Sequence, residues 1–181
     1  MDFRGVVEEV SQSVSNSIAA VLSKDVSPAV KRGLISLIFQ GTADSFTEKM
    51  YNDVSRVFDS TAIRSIIDTN YGQQIERLAE KIVRDNAFAL KDDAIIKEYY
   101  DALLGRIEYT AFKNAKSLDK HPTLTRTMTG NETCEWCQAR AGTHTDPGRE
   151  LFGRHDNCDC VFKVSGYNTR NGVLKNYKKK G

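Results

Sequence analysis

The chain has 181 residues with a formal net charge of +2, and 40% of them are hydrophobic and 28% charged. This composition is typical of a globular domain with a real core and excludes a largely disordered chain. No run of about 18 apolar residues could span a bilayer, and Glu8 and Glu9 lie where a secretion signal would need an apolar block. We therefore expect a reducing compartment, which favours metal thiolates over disulfides.

Residues 1–119 show the apolar periodicity of amphipathic helices. The first helix is predicted from Val6 to Leu22, because apolar residues recur there at three- and four-residue steps, namely Val7, Val10, Val14, Ile18 and Val21. Ser27 and Pro28 provide an N-cap and a proline at the first helical position of a second, more apolar helix, which we expect to end at Gly41. The same reasoning predicts further helices over residues 44–58, 60–67, 75–90 and 92–112.

The pattern changes near His121 and Pro122. Residues 123–129, TLTRTMT, are rich in β-branched side chains and predict a short strand, and residues 161–164 predict a second one. The predicted fold class is therefore mainly α, with a helical body and a small C-terminal α+β subdomain that resembles a zinc knuckle. The predicted domains are an α-helical body at 1–119, a Cys/His metal-binding subdomain at 120–165 and a basic tail at 166–181.

The C-terminal end is basic. Residues 161–181 contain six basic side chains and no acid, so the rest of the chain carries a net negative charge. Such a segment could bind nucleic acid through its phosphates, although an exposed terminus has the same composition. The basic residues are Lys163, Arg170, Lys175, Lys178, Lys179 and Lys180.

All four cysteines lie in one short window. Cys134 and Cys137 form C-x-x-C, and after about 17 residues His155, Cys158 and Cys160 form H-x-x-C-x-C. A C-x-x-C turn directs two sulfurs at one point, and a second short loop can supply the other half of a tetrahedron. Thiolate and imidazole ligands in this arrangement suit Zn²⁺, which brings no redox chemistry to a static site. The sequence thus predicts a structural zinc site.

Five candidates compete for four metal positions. We favour Cys134, Cys137, His155 and Cys158, because the H-x-x-C spacing mirrors C-x-x-C, and we keep Cys160 in reserve. In an extended strand Cys158 and Cys160 would point the same way, so both could face the metal. The alternative is that the thiols hold no metal or pair as two disulfides, for which four cysteines allow three connectivities.

A catalytic metal would require an open coordination position and a nearby general acid or base. Asp156, Asp159 and Glu135 are close in sequence, but the zinc deaminase signature is absent, because His121 is followed by proline and threonine. The chain also has no H-E-x-x-H or G-x-S-x-G motif. Since enough thiolates are present to close the site, the sequence predicts no catalytic residues and no enzymatic activity.

Three other residues near the window have simpler explanations. We expect His144 to lie in a surface loop and His121 in a linker. Trp136, the single tryptophan, is expected to form part of the core of the small subdomain.

Three segments together resemble a known family signature. They are C-E-W-C at 134–137, A-R-A-G at 139–142 and R-H-D-N-C-D-C at 154–160. This layout resembles the C-terminal signature of tailed-bacteriophage minor head and minor capsid proteins, the phage Mu protein F-like head morphogenesis family, and the similarity is specific over 123–164. Many members have H-P-N-C-R-C where this chain has residues 155–160, and many are longer.

The resemblance implies a virion protein of the phage head, made in the host cytoplasm. Its expected partners are the portal protein, the major capsid protein, or both, with packaged DNA as a further partner for the basic tail. Two alternatives stay open. One is a zinc-stabilised nucleic-acid-binding module, which a basic stripe with interleaved aromatics would favour; only Tyr167 and Tyr177 lie among the tail lysines. The other is a zinc-dependent hydrolase or nuclease that uses Asp156 or Asp159.

Overall fold

The computed structural model describes residues 3–55, 57–70, 73–86, 90–117, 121–128, 135–153, 160–165, 169–170 and 173–174. Over these residues the chain is mainly α-helical, which confirms that part of the predicted class. The helices are α1 (Phe3–Leu22), α2 (Pro28–Ser55), α3 (Ser60–Asn70), α4 (Gln73–Asp85), α5 (Leu90–Ser117) and α6 (Glu135–Gln138). The strands are β1 (Thr123–Met128), β2 (Gly142–His144), β3 (Cys160–Ser165), β4 (Thr169–Arg170) and β5 (Val173–Leu174), and a 3₁₀ helix covers Arg149–Phe152.

The chain forms two compact units. The first comprises Met1–Phe46 and Ile67–Asp101, and the second comprises Thr47–Ile66 and Ala102–Gly181. The second part of α5 therefore belongs to the same unit as the C-terminal strands. Our division at 119 and 165 rests on composition and stays a prediction.

The expected break at Gly41 does not occur. Helix α2 continues through this position from Pro28 to Ser55. A glycine inside a helix costs about 1 kcal/mol relative to alanine, and the cost is offset because the flanking residues Ile35, Phe39 and Ala43 are buried at four-residue spacing. Gly41 itself is exposed, and a Cβ there would meet no atom within 4 Å. Burial on one face thus keeps the helix continuous where local propensity predicted its end.

The first unit has an apolar core that follows the predicted helical repeat. Helix α1 buries Val7, Val14, Ile18 and Val21. Aromatic rings of α2 and α5 also pack in this core. The ring centroid of Tyr100 lies 5.2 Å from that of Phe46 and 5.2 Å from that of Tyr99, both in edge-to-face geometry. The repeat therefore identified the buried face of α1, although Val10, which belongs to it, is only half-buried.

Two buried tyrosines predict a loss of stability at alkaline pH. Burial raises the pKa of Tyr100 in the first unit and of Tyr51 in the second. An unfolded tyrosine titrates near pH 10, so above that value the unfolded chain releases a proton that the native chain keeps. The free energy of unfolding then falls by at most about 1.4 kcal/mol per pH unit for each tyrosine.

Urea denaturation followed by far-UV circular dichroism from about pH 8 to about pH 11 measures this slope. Tyr100→Phe and Tyr51→Phe should each make the slope shallower. A wild-type stability that does not change over this range would contradict the prediction.

The second unit contains an antiparallel sheet in the order β2-β1-β3. The two strands predicted at 123–129 and 161–164 are confirmed as β1 and β3, whereas β2 was not predicted. On β1, Leu124 and Arg126 are buried and share a face with half-buried Met128. Arg126 pairs with Gly142 on β2 and with Phe162 on β3. The central strand therefore directs one arginine into the interior.

A hydrophobic cluster forms around Phe152 of the 3₁₀ helix. The ring of Phe152 lies 5.5 Å from that of Tyr109, 5.9 Å from that of Phe112 and 6.4 Å from that of Phe162. These contacts join α5, the 3₁₀ helix and β3 within the second unit. The buried members are Phe112, Leu124, Cys137, Phe152, Cys160 and Phe162, and we call them the C-terminal cluster.

Asp59 caps helix α3: its Oδ1 accepts hydrogen bonds from the backbone N–H of Thr61 and of Ala62, both at 3.0 Å. In the stretch predicted as a basic tail, β4 pairs with β5.

Across the described parts of the chain, no helix combines the length and apolar character that crossing a membrane requires.

Candidate metal centre

Two of the five predicted metal ligands lie in the described parts of the chain. Cys137 is in α6 and Cys160 is the first residue of β3. Both are buried thiols, with 5% and 9% of their surface exposed. Cys134, His155 and Cys158 lie outside the described residues, so the complete ligand set stays a prediction.

The two described cysteines come from opposite halves of the motif. Cys137 is the last residue of the C-x-x-C half, and Cys160 is the last residue of the H-x-x-C-x-C half. Both belong to the C-terminal cluster. Pairing of β1 with β3 places Cys160 opposite Met128, at the end of the central strand. The fold thus brings one sulfur from each half of the motif into the same small core.

The turn after α6 leads the chain from Cys137 back to the sheet. The backbone N–H of Ala139 donates to Glu135 O at 2.9 Å, and that of Arg140 donates to Cys137 O at 3.1 Å. The chain then reverses at Gly142, whose φ of +120° suits glycine and strains other residues. It returns as β2 beside β1. Within this turn Cys137 faces the core while Glu135 faces solvent.

Arg126 is a buried cation directly beside Cys137. Only 1% of the surface of Arg126 is exposed. Nη1 donates to Leu151 O at 3.0 Å and to Gly153 O at 3.1 Å. Nη2 donates to Cys137 Sγ at 3.9 Å. The guanidinium therefore joins the cysteine to the end of the 3₁₀ helix.

Aromatic rings flank the same guanidinium. Its Cζ lies 4.8 Å from the ring centroid of Trp136 and 4.8 Å from that of Phe162. A buried charge is tolerated when its donors are hydrogen-bonded, and ring faces add cation–π attraction. A positive charge beside a sulfur also stabilises the thiolate relative to the thiol. The surroundings of Cys137 therefore suit a metal-binding thiolate.

Sequence reasoning missed Arg126, although the signal was present. In the predicted strand TLTRTM, Leu124, Arg126 and Met128 alternate with threonines and so share one face. If that face is buried, the arginine is buried with it. Only the tertiary structure shows that Arg126 on this face lies beside Cys137.

A second arginine stacks on Trp136. The Cζ atom of Arg140 lies 4.0 Å from the ring centroid of Trp136, and its Nη1 donates to Trp136 O at 3.1 Å. The chain passes close to this ring, because a Cβ at Gly153 would lie 3.5 Å from it. Trp136 packs on the C-terminal cluster, in line with its expected core role.

The two other histidines take no part in the predicted ligand set. His144 lies in β2 rather than in the surface loop that we expected, and its Nε2 is 3.1 Å from Arg140 O. The strand was missed because three residues are too few to show an alternating pattern. His121 is exposed just before β1.

The donor chemistry of the described residues fits zinc. Sulfur donors in water-poor surroundings are typical of structural Zn²⁺ sites, where the metal holds two chain segments together. Within the described ranges no group of three or more His, Cys, Asp or Glu side chains could hold a metal ion. Cys134, His155 and Cys158 lie outside these ranges.

Comparisons with protein-family models, with curated proteins and with solved structures find no match to this chain.

Proposed function

We propose that the chain is a non-enzymatic structural protein of a tailed-phage head, a minor capsid or head morphogenesis component at the portal or the inner capsid surface. A structural zinc centre holds its C-terminal subdomain together. The observation that carries the proposal is the burial of Cys137 and Cys160, one from each half of the motif, in the same cluster. Zinc is held by four of Cys134, Cys137, His155, Cys158 and Cys160.

The surroundings of the two sulfurs favour a structural metal over a catalytic one. A catalytic zinc needs an open position for water and a general acid or base beside it. Cys137 and Cys160 are instead packed with Phe152 and Phe162. Apolar packing excludes water, and four protein ligands around the metal leave no position for a substrate. The zinc hydrolase alternative has no comparable support among the described residues.

Support for the phage role comes from the spacing and identity of the motif residues. Residues 123–164 resemble the minor head protein signature, and Leu124 of β1 and Phe162 of β3 pack in the same cluster as Cys137 and Cys160. A zinc-held module on a mainly helical chain gives a rigid part that can bind a neighbouring head protein without doing chemistry. The basic end of the chain is suited to the surface of packaged DNA.

The phage role predicts that the chain is part of the particle. Particles purified on a density gradient from the host that encodes the chain should contain it together with portal and capsid proteins. Cross-linking of intact particles followed by mass spectrometry should join it to one of these two proteins. Nuclease treatment of opened particles, followed by a wash in about 1 M salt, should leave it attached, because salt screens phosphate contacts.

The controls separate the alternatives. Release by nuclease or salt, with cross-links to DNA alone, would favour the nucleic-acid-binding module. Absence of the chain from purified particles would contradict the phage role, whatever the result for zinc.

A further inference from the structure

We propose that Arg126 is a positioning residue of the metal centre, holding the two ligand-bearing halves of the motif together and balancing the charge of the thiolates. This inference rests on the proposed zinc centre. Arg126 is no part of the cysteine motif and lies on the central strand of the sheet. It is not a ligand, because a guanidinium has donors and no acceptor.

The first argument is that one side chain contacts both Cys137 and the residues that lead into the second half of the motif. Nη2 donates to Cys137 Sγ at 3.9 Å, and Nη1 donates to Leu151 O and Gly153 O at 3.0 and 3.1 Å. Gly153 precedes His155 by two positions. Arg126 therefore holds the chain at the point where it enters the second half of the motif. Because Leu151 and Gly153 are already held in place, metal binding has a smaller entropy cost.

The second argument is that the guanidinium also contacts two aromatic rings. It lies 4.8 Å from the ring centroids of both Trp136 and Phe162. Phe162 pairs with Arg126 across the sheet and lies two residues after Cys160 on β3. The same side chain thus contacts the strand that carries the reserve cysteine. A lysine has no planar group and could not make this set of contacts.

The third argument concerns charge. Three thiolates and one imidazole around Zn²⁺ leave one net negative charge, and four thiolates leave two. A buried net charge is costly unless an opposite charge or hydrogen bonds balance it. Arg126 supplies both, because it is cationic and donates to Cys137 Sγ. Residues of this kind around a metal typically change its affinity by about 10- to 100-fold.

The test compares Arg126→Met, Arg126→Lys and the control Arg140→Met in the full chain. Arg140 also stacks on Trp136, at 4.0 Å, but donates to a backbone carbonyl instead of a sulfur. Zinc affinity is measured by competition with a chelator. Co²⁺ then replaces zinc, and its thiolate-to-metal absorption band reports the electron density on the sulfurs.

We expect Arg126→Met to weaken zinc binding by about 10- to 100-fold and to shift the cobalt band, because the N–H···S contact is lost. Arg126→Lys should keep the charge and restore only part of the affinity. Arg140→Met should leave the affinity and the band unchanged. The band separates a role at the sulfur from a general loss of stability, since unfolding alone does not shift the spectrum of the cobalt that remains bound.

The outcomes distinguish this inference from the proposed centre. If the wild type binds zinc and Arg126→Met has the same affinity and spectrum, the role of Arg126 is overturned and the zinc centre stands. If the wild type binds no zinc, both are overturned. If Arg126→Met does not fold, wild-type chain labelled with ¹⁵N-arginine decides. The guanidinium N–H signals of Arg126 should exchange slowly with water and shift on zinc addition. A signal that exchanges fast and does not shift with zinc would overturn the proposal.

Discussion

Cys137→Ser is expected to remove zinc from the chain and to loosen the C-terminal part while most of the helical structure is retained. The hydroxyl is a poor ligand for Zn²⁺, and in this position it would leave a polar group in the C-terminal cluster. Formation of a structural zinc site contributes on the order of 10 kcal/mol in small zinc modules. The helices of the first unit have their own buried core and do not depend on this cysteine.

Metal content by mass spectrometry, on protein purified without chelator, checks the first part of this prediction. The wild type should hold about one zinc per chain, and the variant close to none. Trp136 is the single tryptophan and lies next to Cys137, so its fluorescence reports the local change. Far-UV circular dichroism should retain most of its helical signal.

Cys160→Ser is the matched control, because it makes the same substitution at the other described cysteine. If the favoured ligands are correct, this variant keeps its zinc although it loses some packing, since Cys160 is also buried. Loss of zinc in Cys160→Ser alone would move Cys160 into the ligand set. Wild-type protein with no zinc and four reactive thiols would contradict the centre itself. Complete loss of helical signal in Cys137→Ser would contradict the retention of helical structure.

Phe152→Ala is expected to have the second largest effect, a loss of about 3–5 kcal/mol in the stability of the second unit. Phe152 has 1% of its surface exposed, and its ring contacts Tyr109, Phe112 and Phe162. Removing it leaves a cavity at the centre of the C-terminal cluster, and the rigid sheet on one side limits collapse. The substitution also acts on the segment that Arg126 holds through Leu151 O and Gly153 O.

Phe58→Ala provides the matched control for this prediction. Phe58 is 65% exposed, so the same change should alter stability by no more than about 0.5 kcal/mol. Urea unfolding followed by the fluorescence of Trp136 gives both values, provided that the slope with denaturant is unchanged. Equal midpoints for the two variants would show that Phe152 does not lie in a packed core.

The two variants separate two sources of stability. Adding excess zinc should not restore the stability of Cys137→Ser, because a donor is missing. It should partly restore the stability of Phe152→Ala, because the ligands remain and metal binding stabilises the folded state by mass action. If zinc has no effect on Phe152→Ala, metal binding and the C-terminal cluster are independent.

The sequence by itself determined the features that depend on local spacing. The three- and four-residue repeat predicted α1 and its buried valines, because a helix presents such positions on one side. β-Branched residues predicted β1 and β3. Cysteine and histidine spacing predicted a metal site, because ligand chemistry depends on residue types that the sequence states directly. Those predicted ligands include Cys134, His155 and Cys158, whose placement stays a prediction.

Only the tertiary structure decided the features that depend on distant contacts. Helix α2 continues through Gly41 because residues on both sides of it are buried. Helix propensity is a local quantity and does not include this burial. β2 exists because β1 supplies its partner across a turn at Gly142. Arg126 meets Cys137 only when the sheet, α6 and the 3₁₀ helix are packed together. Burial and long-range pairing are sums over residues far apart in the chain, so a pattern read along the sequence cannot determine them.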